Sequence, residues 1–210
     1  MPQAPSATPN RHERRRARSR QALVGAARAI LAERGHTEVS IQEIADRADV
    51  GFGTFYNYFS TKSDLFDAAV TDALEEHGRL LDGVTAGLDD PAETLAVSLR
   101  LSIRLAPVHP ELTRILCLRG LSQIHVPTGL GPRALRDLLE GRSRGRFHFE
   151  NPQVALSAVG GALLGLLQLS TTCRLEPDAG DQLAELVLRM LRVPDTEAHE
   201  VAHRALPELG

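Results

Sequence analysis

Apolar residues recur with helical spacing along most of the chain. The first such stretch runs from about Arg14 to Arg34, and Gly35 follows it as the left-handed stop that commonly ends a helix. Its apolar face repeats at i, i+3, i+4 and i+7: Leu23, Ala26, Ala27, Ile30 and Leu31. No segment of useful length alternates apolar and polar residues with the period of two that a strand requires. We therefore predict an all-α fold of nine or ten helices.

A second helix is signalled twice at its start. Ser40 and Glu43 form a capping box, in which the Ser40 hydroxyl accepts from a free amide and Glu43 reaches back to the amide of Ser40. Val39 and Ile44 flank this start as a hydrophobic staple. The helix should cover 41–48, with a buried face that comprises Ile41, Ile44, Ala45 and Ala48.

A third short helix, about 52–58, follows after a brief turn, and Thr61 to Asp64 cap a fourth. Two short helices joined by such a turn are typical of a helix-turn-helix, whose second helix enters the major groove of DNA. Phe55 and Phe59 lie four residues apart and should pack inward. The other side chains offer hydroxyls, an amide and rings suited to phosphates and base edges: Phe52, Gly53, Thr54, Tyr56, Asn57 and Tyr58.

The alternative is that this aromatic helix belongs entirely to the core. That alternative accounts poorly for Tyr56 and Tyr58, because they are the two tyrosines of the whole chain and both lie on this helix. Gly53 would in addition let the backbone approach DNA closely.

The charge distribution favours the same end of the chain. The formal net charge is −3, yet residues 1–65 hold ten Lys and Arg against seven Asp and Glu, which leaves fourteen against twenty for the rest. A basic N-terminal third can face phosphates while the remainder stays acidic. Six arginines lie within Arg11–Arg20. They form either an arm for phosphates and the minor groove, with Arg16 and Arg18 as our candidates, or a solvated terminus.

Lys62 is the single lysine of the chain and stands at a predicted helix start. A compact ammonium beside free helix amides suits a phosphate, although a lysine that survives by chance among 23 arginines is the alternative.

The stretch Ser40–Val70 resembles the N-terminal signature of the TetR family of one-component bacterial regulators. The residues that carry the resemblance are Ile44-Ala45, Ala48, Val50, Thr54-Phe55-Tyr56, Tyr58-Phe59, Lys62, Leu65 and Phe66. The resemblance implies backbone contacts for Thr54, Tyr56, Tyr58 and Lys62, and positions nearest the bases for Phe52, Gly53 and Asn57. We add Ser40, Arg16 and Arg18 to this DNA-binding set. The Phe52-Gly53 pair departs from the common pattern, so no base preference is transferred.

Two strongly apolar helices are predicted at 152–173 and 178–192. The family resemblance implies that the last two long helices pair across a two-fold axis, and small residues would allow close approach. Our candidates for that interface are Ser157, Gly161 and Gly165, and packing within one chain is the alternative. The segment 154–169 is too short and carries Ser157 and Gln168, so it should be a buried helix and no membrane span.

The resemblance also implies an effector pocket in the helical body. Polar residues in otherwise apolar segments are the candidates, namely Arg104, His109, His125 and Gln168. For each of them, an ordinary hydrogen-bonded polar side chain is the alternative.

His199-Glu200-Val201-Ala202-His203 matches the H-E-x-x-H pattern of zinc proteases, in which two histidines share one helix face. Only seven residues follow His203, and we assign them to a polar tail, although an upstream His or Glu could supply a further ligand. We therefore predict no enzyme, no metal site and no cofactor, and keep a zinc hydrolase as the rival hypothesis.

The predicted organisation is a disordered lead-in (1–10), a helix-turn-helix domain (11–62), a helical effector-binding and dimerisation domain (63–194) and a polar tail (195–210). The predicted function is that of a cytoplasmic regulator, a repressor in our interpretation. It would bind an inverted-repeat operator in double-stranded DNA as a homodimer and leave it when a small molecule binds. An architectural helix-turn-helix protein without an effector is the third hypothesis.

Overall fold

The computed structural model describes residues 11–207, without the side chains of His12 and Glu13. Within this range the chain forms ten α-helices and no strand, which confirms the all-α prediction. The predicted lead-in, residues 1–10, lies outside the described residues. The helices are α1 Arg11–Arg34, α2 Ile41–Arg47, α3 Phe52–Tyr56, α4 Lys62–Thr85, α5 Pro91–Leu105, α6 Pro110–Gln123, α7 Leu130–Ser143, α8 Pro152–Ser170, α9 Ala179–Met190 and α10 Asp195–Ala202.

The chain divides into two compact units, Met1–Ala69 and Val70–Gly210. This division falls inside α4, seven residues after the end that we predicted for the first domain. A capped helix start indicated a boundary in the sequence. The first two turns of α4 nevertheless belong to the first unit, and Leu65 and Phe66 there are fully buried.

Local signals set the ends of α1 and the start of α2. Gly35 has a φ of 72°, and its amide donates to the carbonyl of Leu31 at 2.9 Å, as expected for the left-handed stop. The Ser40 hydroxyl accepts from the Glu43 amide at 3.0 Å, which is the first half of the predicted capping box. The second half is wrong, because the Glu43 carboxylate pairs with the guanidinium of Arg34.

The turn after α2 is closed by an aspartate. Asp49 has a φ of 51°, and the amide of Val50 donates to the carbonyl of Ala45 at 3.0 Å. The Asp49 amide donates to Asp46 at 3.1 Å, which completes a Schellman motif with Asp at the position that usually holds glycine. Short polar side chains tolerate this left-handed conformation better than others. Helix α3 then ends at Tyr56, two residues before the predicted end.

In the second unit, α5 packs against α7, α8, α9 and α10. Arg100 on α5 is only 7% exposed. Its guanidinium pairs with Asp181 of α9 and donates to the carbonyl oxygen of Arg204 at 2.7 Å. A buried cation therefore joins the end of the described chain to the centre of the unit.

The predicted polar tail is wrong for residues 195–202. Asp195–Ala202 forms helix α10, which packs on α9 and α5 with Ala198, Val201 and Ala202 buried. These three residues follow the i, i+3, i+4 spacing of a helix face, and the charged residues between them masked that pattern. Arg204, just beyond the helix, pairs with Glu93 at 2.6 Å.

Candidate functional site

Helix α3 separates its aromatic side chains into two sets. Phe55 is fully buried and Phe59, just beyond the helix, is 6% exposed. Phe52 and Tyr56 are 47% and 55% exposed. The predicted inward and outward faces are therefore present, and two large rings stand in solvent where a packed core helix would hide them.

The exposed rings are held in place by the buried one. The centroids of Phe52 and Tyr56 lie 5.7 Å apart, edge to face, and the Tyr56 ring meets Phe55 edge to face at 5.3 Å. Such contacts fix ring orientation beyond what simple burial provides. Gly53 lies between them, and a Cβ added there would meet nothing within 4 Å. The packing of the described residues does not require this glycine.

The other predicted DNA contacts lie in the same unit. Asn57 is exposed, and Thr54 and Tyr58 are half-buried. Arg16 and Arg18 are exposed on α1. Ser40 is exposed as well, although its hydroxyl already caps α2.

Lys62 has a structural partner that the sequence did not indicate. Its Nζ donates to the carbonyl oxygen of Val39 at 2.7 Å, and the side chain is half-buried. The ammonium therefore ties the start of α4 to the residue before the α2 cap. An ammonium has three donors, so two remain for another acceptor.

The second unit contains a cavity of about 110 Å³ among α4, α5, α6, α7 and α8. Its wall is largely apolar, and Leu74, Leu95, Leu116 and Leu164 are among the residues that line it. The charged and polar groups on the wall are few: Asp82, Thr85, Ser98, Ser102, Gln123, Arg133 and Asp137. An apolar cavity with few polar groups is the usual form of a small-molecule site.

Two arginines of α7 organise the charged part of this wall. Arg133 pairs with Glu75 at 2.8 Å and with Asp82 at 2.7 Å, both on α4. Arg136 reaches Asp82 at 3.0 Å and Asp137 at 2.8 Å. Gly78 on α4 makes room for Arg133, because a Cβ there would lie 2.7 Å from its Nε.

The carboxylates of this cluster differ in their proton affinity. The hydrogen bond from Arg133 lowers the pKa of Glu75. Burial raises the pKa of Asp137 against the opposing effect of Arg136. Burial acts in the same way on Asp82, but hydrogen bonds from Arg133 and Arg136 outweigh it and leave its pKa lowered.

None of the four ligand residues predicted from the sequence lies on the cavity wall. Arg104 and His109 are exposed. The exposed His125 ring contacts Gln153 and Ser157 at 2.9 Å each. Gln168 is exposed and bonds to Thr171 at 3.2 Å. All four stand out as polar residues in apolar segments, and three-dimensional packing turned them to the surface.

The C-terminal helices present an apolar surface to solvent. Val154 and Leu169 of α8 are 64% and 49% exposed, and Leu186 and Met190 of α9 are 62% and 45% exposed. By length and composition alone, α8 is the one helix among the described residues that could cross a membrane, and 28% of its apolar stretch is buried. The prediction that α8 is a buried helix holds within this chain only for the flank that packs on α6 and α7, and the other flank is exposed.

The α8 glycines separate into two kinds. A Cβ on Gly160 would lie 3.1 Å from Ile124, so this glycine serves packing within the chain. A Cβ on Gly161 or Gly165 would meet nothing within 4 Å. Ser157, the third interface candidate, is exposed and bonded to His125.

Sequence comparison matches both units to one family. Residues 23–69 match the bacterial regulatory proteins of the tetR family, and residues 90–204 match the tetracyclin repressor-like C-terminal domain. The probable acrEF/envCD operon repressor of Escherichia coli K12 is 26% identical over 89% of this chain and 92% of its own length. The transcriptional regulator AcuR of Cereibacter sphaeroides is 40% identical over 41% of this chain, which spans 38% of that relative.

Solved structures agree with this assignment. The crystal structure of RolR in complex with resorcinol is 37% identical, with a TM-score of 0.68 over 94% of this chain and 99% of that chain. The ligand-free RolR structure gives a TM-score of 0.65 over 90% of this chain and 100% of that chain. The fold and the exposed side of α3 define a helix-turn-helix transcriptional regulator. The chain belongs to the TetR family.

Proposed function

We propose that the chain is a cytoplasmic repressor that binds an inverted-repeat operator as a homodimer and leaves it when a small hydroxylated aromatic molecule binds. The observation that carries the DNA-binding part is the division of α3, with Phe52 and Tyr56 exposed beside Gly53 while Phe55 is buried. A helix that is anchored on one face and open on the other can enter a major groove without unfolding its own core.

DNA selected from a random pool by the purified protein would reveal the operator, and an inverted repeat is expected. Tyr56→Phe removes one hydroxyl. It should weaken binding to specific and nonspecific DNA alike, because phosphate contacts carry little sequence information. Lys62→Ala should lower the salt slope of binding by about one ion. Arg174→Ala removes an exposed cation from the other unit and is the matched control.

Thermal unfolding of each variant is needed beside the binding assay, because Lys62 also holds the Val39 carbonyl. A folded Lys62→Ala protein with an unchanged salt slope would assign that lysine to structure alone. A folded Tyr56→Phe protein with unchanged affinity would remove its hydroxyl from the phosphate contacts.

The unpartnered face of α8 and α9 supports the homodimer. Several large apolar side chains exposed on the same two helices favour an interaction site, and the family places its dimer contact on the last long helices. Two copies of this face can cover each other about a two-fold axis. An inverted repeat also requires two DNA-binding domains, because its half-sites lie about 34–36 Å or a multiple of that distance apart.

The effector proposal rests on the cavity of the second unit. A benzene ring suits the leucine-lined part, while phenolic hydroxyls can donate to Asp82 or Asp137 and accept from Arg133. The resorcinol complex of RolR supports this ligand class, since that relative matches along nearly its whole length. The cavity also weighs against an architectural protein without an effector. Binding must favour one conformation over another to release DNA.

Calorimetry with resorcinol as the probe tests the effector proposal. Wild type should bind it in saturable fashion, and resorcinol should release the selected operator in a mobility-shift assay. Asp137→Asn should weaken resorcinol binding by about ten- to a hundredfold, because one charge-assisted hydrogen bond contributes about 1.5–3 kcal/mol. His125→Ala, a change at an exposed predicted residue, should leave binding unchanged. The opposite result for the two variants would return the site to His125.

A further inference from the structure

A second group of ligating side chains lies where α9 meets α10. His199 lies on α10 and His203, four residues later, is the residue that caps its C-terminus; their ring centroids are 4.2 Å from each other. Glu185 of α9 faces them, with its Oε2 3.0 Å from Nδ1 of His199 and 3.9 Å from Nδ1 of His203. One ligand atom from each of the three residues lies within 4.8 Å of the other two.

The hydrogen bonds around these three side chains determine which of their atoms keep a lone pair for a metal ion. Nδ1 of His203 lies 2.8 Å from the carbonyl oxygen of His199, so this nitrogen carries the proton and Nε2 keeps its lone pair. Metal-binding histidines commonly donate their other ring nitrogen in this way. Arg189 pairs with Oε1 of Glu185, which leaves Oε2 for the imidazoles. The hydrogen bond to His199 lowers the pKa of Glu185, which keeps this carboxylate ionised near neutral pH.

We propose that Glu185, His199 and His203 form a binding site for one divalent transition-metal ion of the zinc type, which links α10 to α9. Two imidazoles and a carboxylate are a common zinc ligand set, and water completes the tetrahedron at an exposed site. Tetrahedral bonds of about 2.0–2.1 Å place neighbouring ligand atoms about 3.3 Å apart, so the three side chains must draw together from a spacing of up to 4.8 Å. The ion would replace the proton shared by His199 and Glu185.

This site differs from the protease pattern that its sequence suggests. The third ligand comes from α9, fourteen residues before His199, and not from a segment downstream. Glu200, the general base of the protease pattern, is exposed and is not among the three grouped residues. The ion is therefore assigned to stability, since α10 has only eight residues and helices of that length are marginal without tertiary support. The proposal is independent of the regulator function.

Zinc binding to full-length protein without an affinity tag provides the test. Competition with a chromophoric chelator should give one saturable Zn²⁺ per chain, and zinc should raise the melting temperature because the ion binds the folded state. Co²⁺ in place of Zn²⁺ should give the visible absorption of a tetrahedral site.

His199→Ala, His203→Ala and Glu185→Gln should each weaken zinc binding about tenfold or more. His148→Ala removes another exposed imidazole and should change nothing. Circular dichroism on the zinc-free variants shows whether they fold. Absence of saturable binding, half an ion per chain, or equal affinity in wild type and the His199→Ala/His203→Ala double variant would each overturn the proposal. The first and third outcomes would make the group an ordinary surface ion pair, and the second would place the ion between two copies of the chain.

Discussion

The two units of this protein distribute stability and recognition in different ways. In the first unit we assign both tasks to one five-residue helix, α3, with buried residues such as Phe55 on one side and exposed residues such as Phe52, proposed to face DNA, on the other. In the second unit the candidate ligand groups are half-buried on the cavity wall, and Ser102 on the same wall is itself bonded to the buried His77. Substitutions should therefore separate folding from function in the first unit, and change both together around the cavity.

The largest expected effect tests the separation on α3. Phe55→Ala removes a fully buried ring and should lower the free energy of unfolding by about 3–5 kcal/mol. Phe52→Ala removes a ring that is 47% exposed and should leave most of the stability in place while it weakens operator binding. Chemical denaturation of both variants gives the comparison, and equal destabilisation would show that the two faces are not independent.

The second prediction concerns the buried His77 of the other unit. Burial, with a smaller effect from His109, lowers the pKa of His77 from 6.5 to about 4. Ser102 donates its hydroxyl proton to Ser98, so it accepts from Nε2 of a neutral His77. The unfolded chain takes up a proton near pH 6.5 and the folded chain does not until about pH 4. Stability should thus fall by about 3 kcal/mol as the pH drops through this range.

Denaturation of wild type and His77→Gln between pH 7 and pH 4 measures this contribution. The variant keeps a donor for Ser102 but has no proton to gain, so its stability should fall less steeply. Parallel curves for the two proteins would assign the acid sensitivity to other groups.

The third prediction concerns the exposed face of α8. Like the exposed side of α3 in the first unit, this face is proposed to bind a partner, and its substitution should have a smaller effect. Gly165→Leu meets no neighbour within the chain, so it should preserve the fold but obstruct a partner helix, at a cost of about 1–3 kcal/mol to the dimer. Gly83→Leu is the matched control, because Gly83 is also helical, exposed and open. Sedimentation should show weaker association for Gly165→Leu only. An intact Gly165→Leu dimer would move the interface elsewhere.

The smallest expected effect is at the ion pair between Arg47 and Glu33. Both side chains are well exposed, and solvent screens such pairs almost completely. Arg47→Ala should leave the melting temperature of the first unit unchanged within error, even though the guanidinium lowers the pKa of Glu33. A clear loss of stability would mean that the first unit depends on its surface more than its core suggests.

The helix-turn-helix domain could be predicted from the sequence because the signals that specify it are local. The Ser40 cap, the Gly35 stop and the spacing of Phe55 and Phe59 each lie within a few residues of the structure that they specify. The helix class of the whole chain follows from the same short-range periodicity. The TetR signature added the family, which the comparisons confirm.

The cavity and the Glu185 cluster could not be predicted in this way. Arg133 meets Glu75 and Asp82 from more than fifty residues away, and only the packing of α7 on α4 brings them together. Gly78 shows no turn or left-handed signal, because its role is to clear space for a distant side chain. The same limit applies to Lys62, whose partner Val39 is 23 residues earlier.

Arg100 also has a consequence for how the gene can be shortened. Its buried guanidinium depends on an acceptor from Arg204, which lies beyond the last helix. A reading frame that stops at Pro194 would remove that acceptor together with α10 and leave a cation in the interior with Asp181 as its remaining described partner. A buried donor that loses its acceptor is destabilising, and the apolar contacts of α10 are lost with it. Nonsense mutations between the codons of Pro194 and Arg204 should therefore lower the cellular level of the protein, because proteases clear destabilised chains.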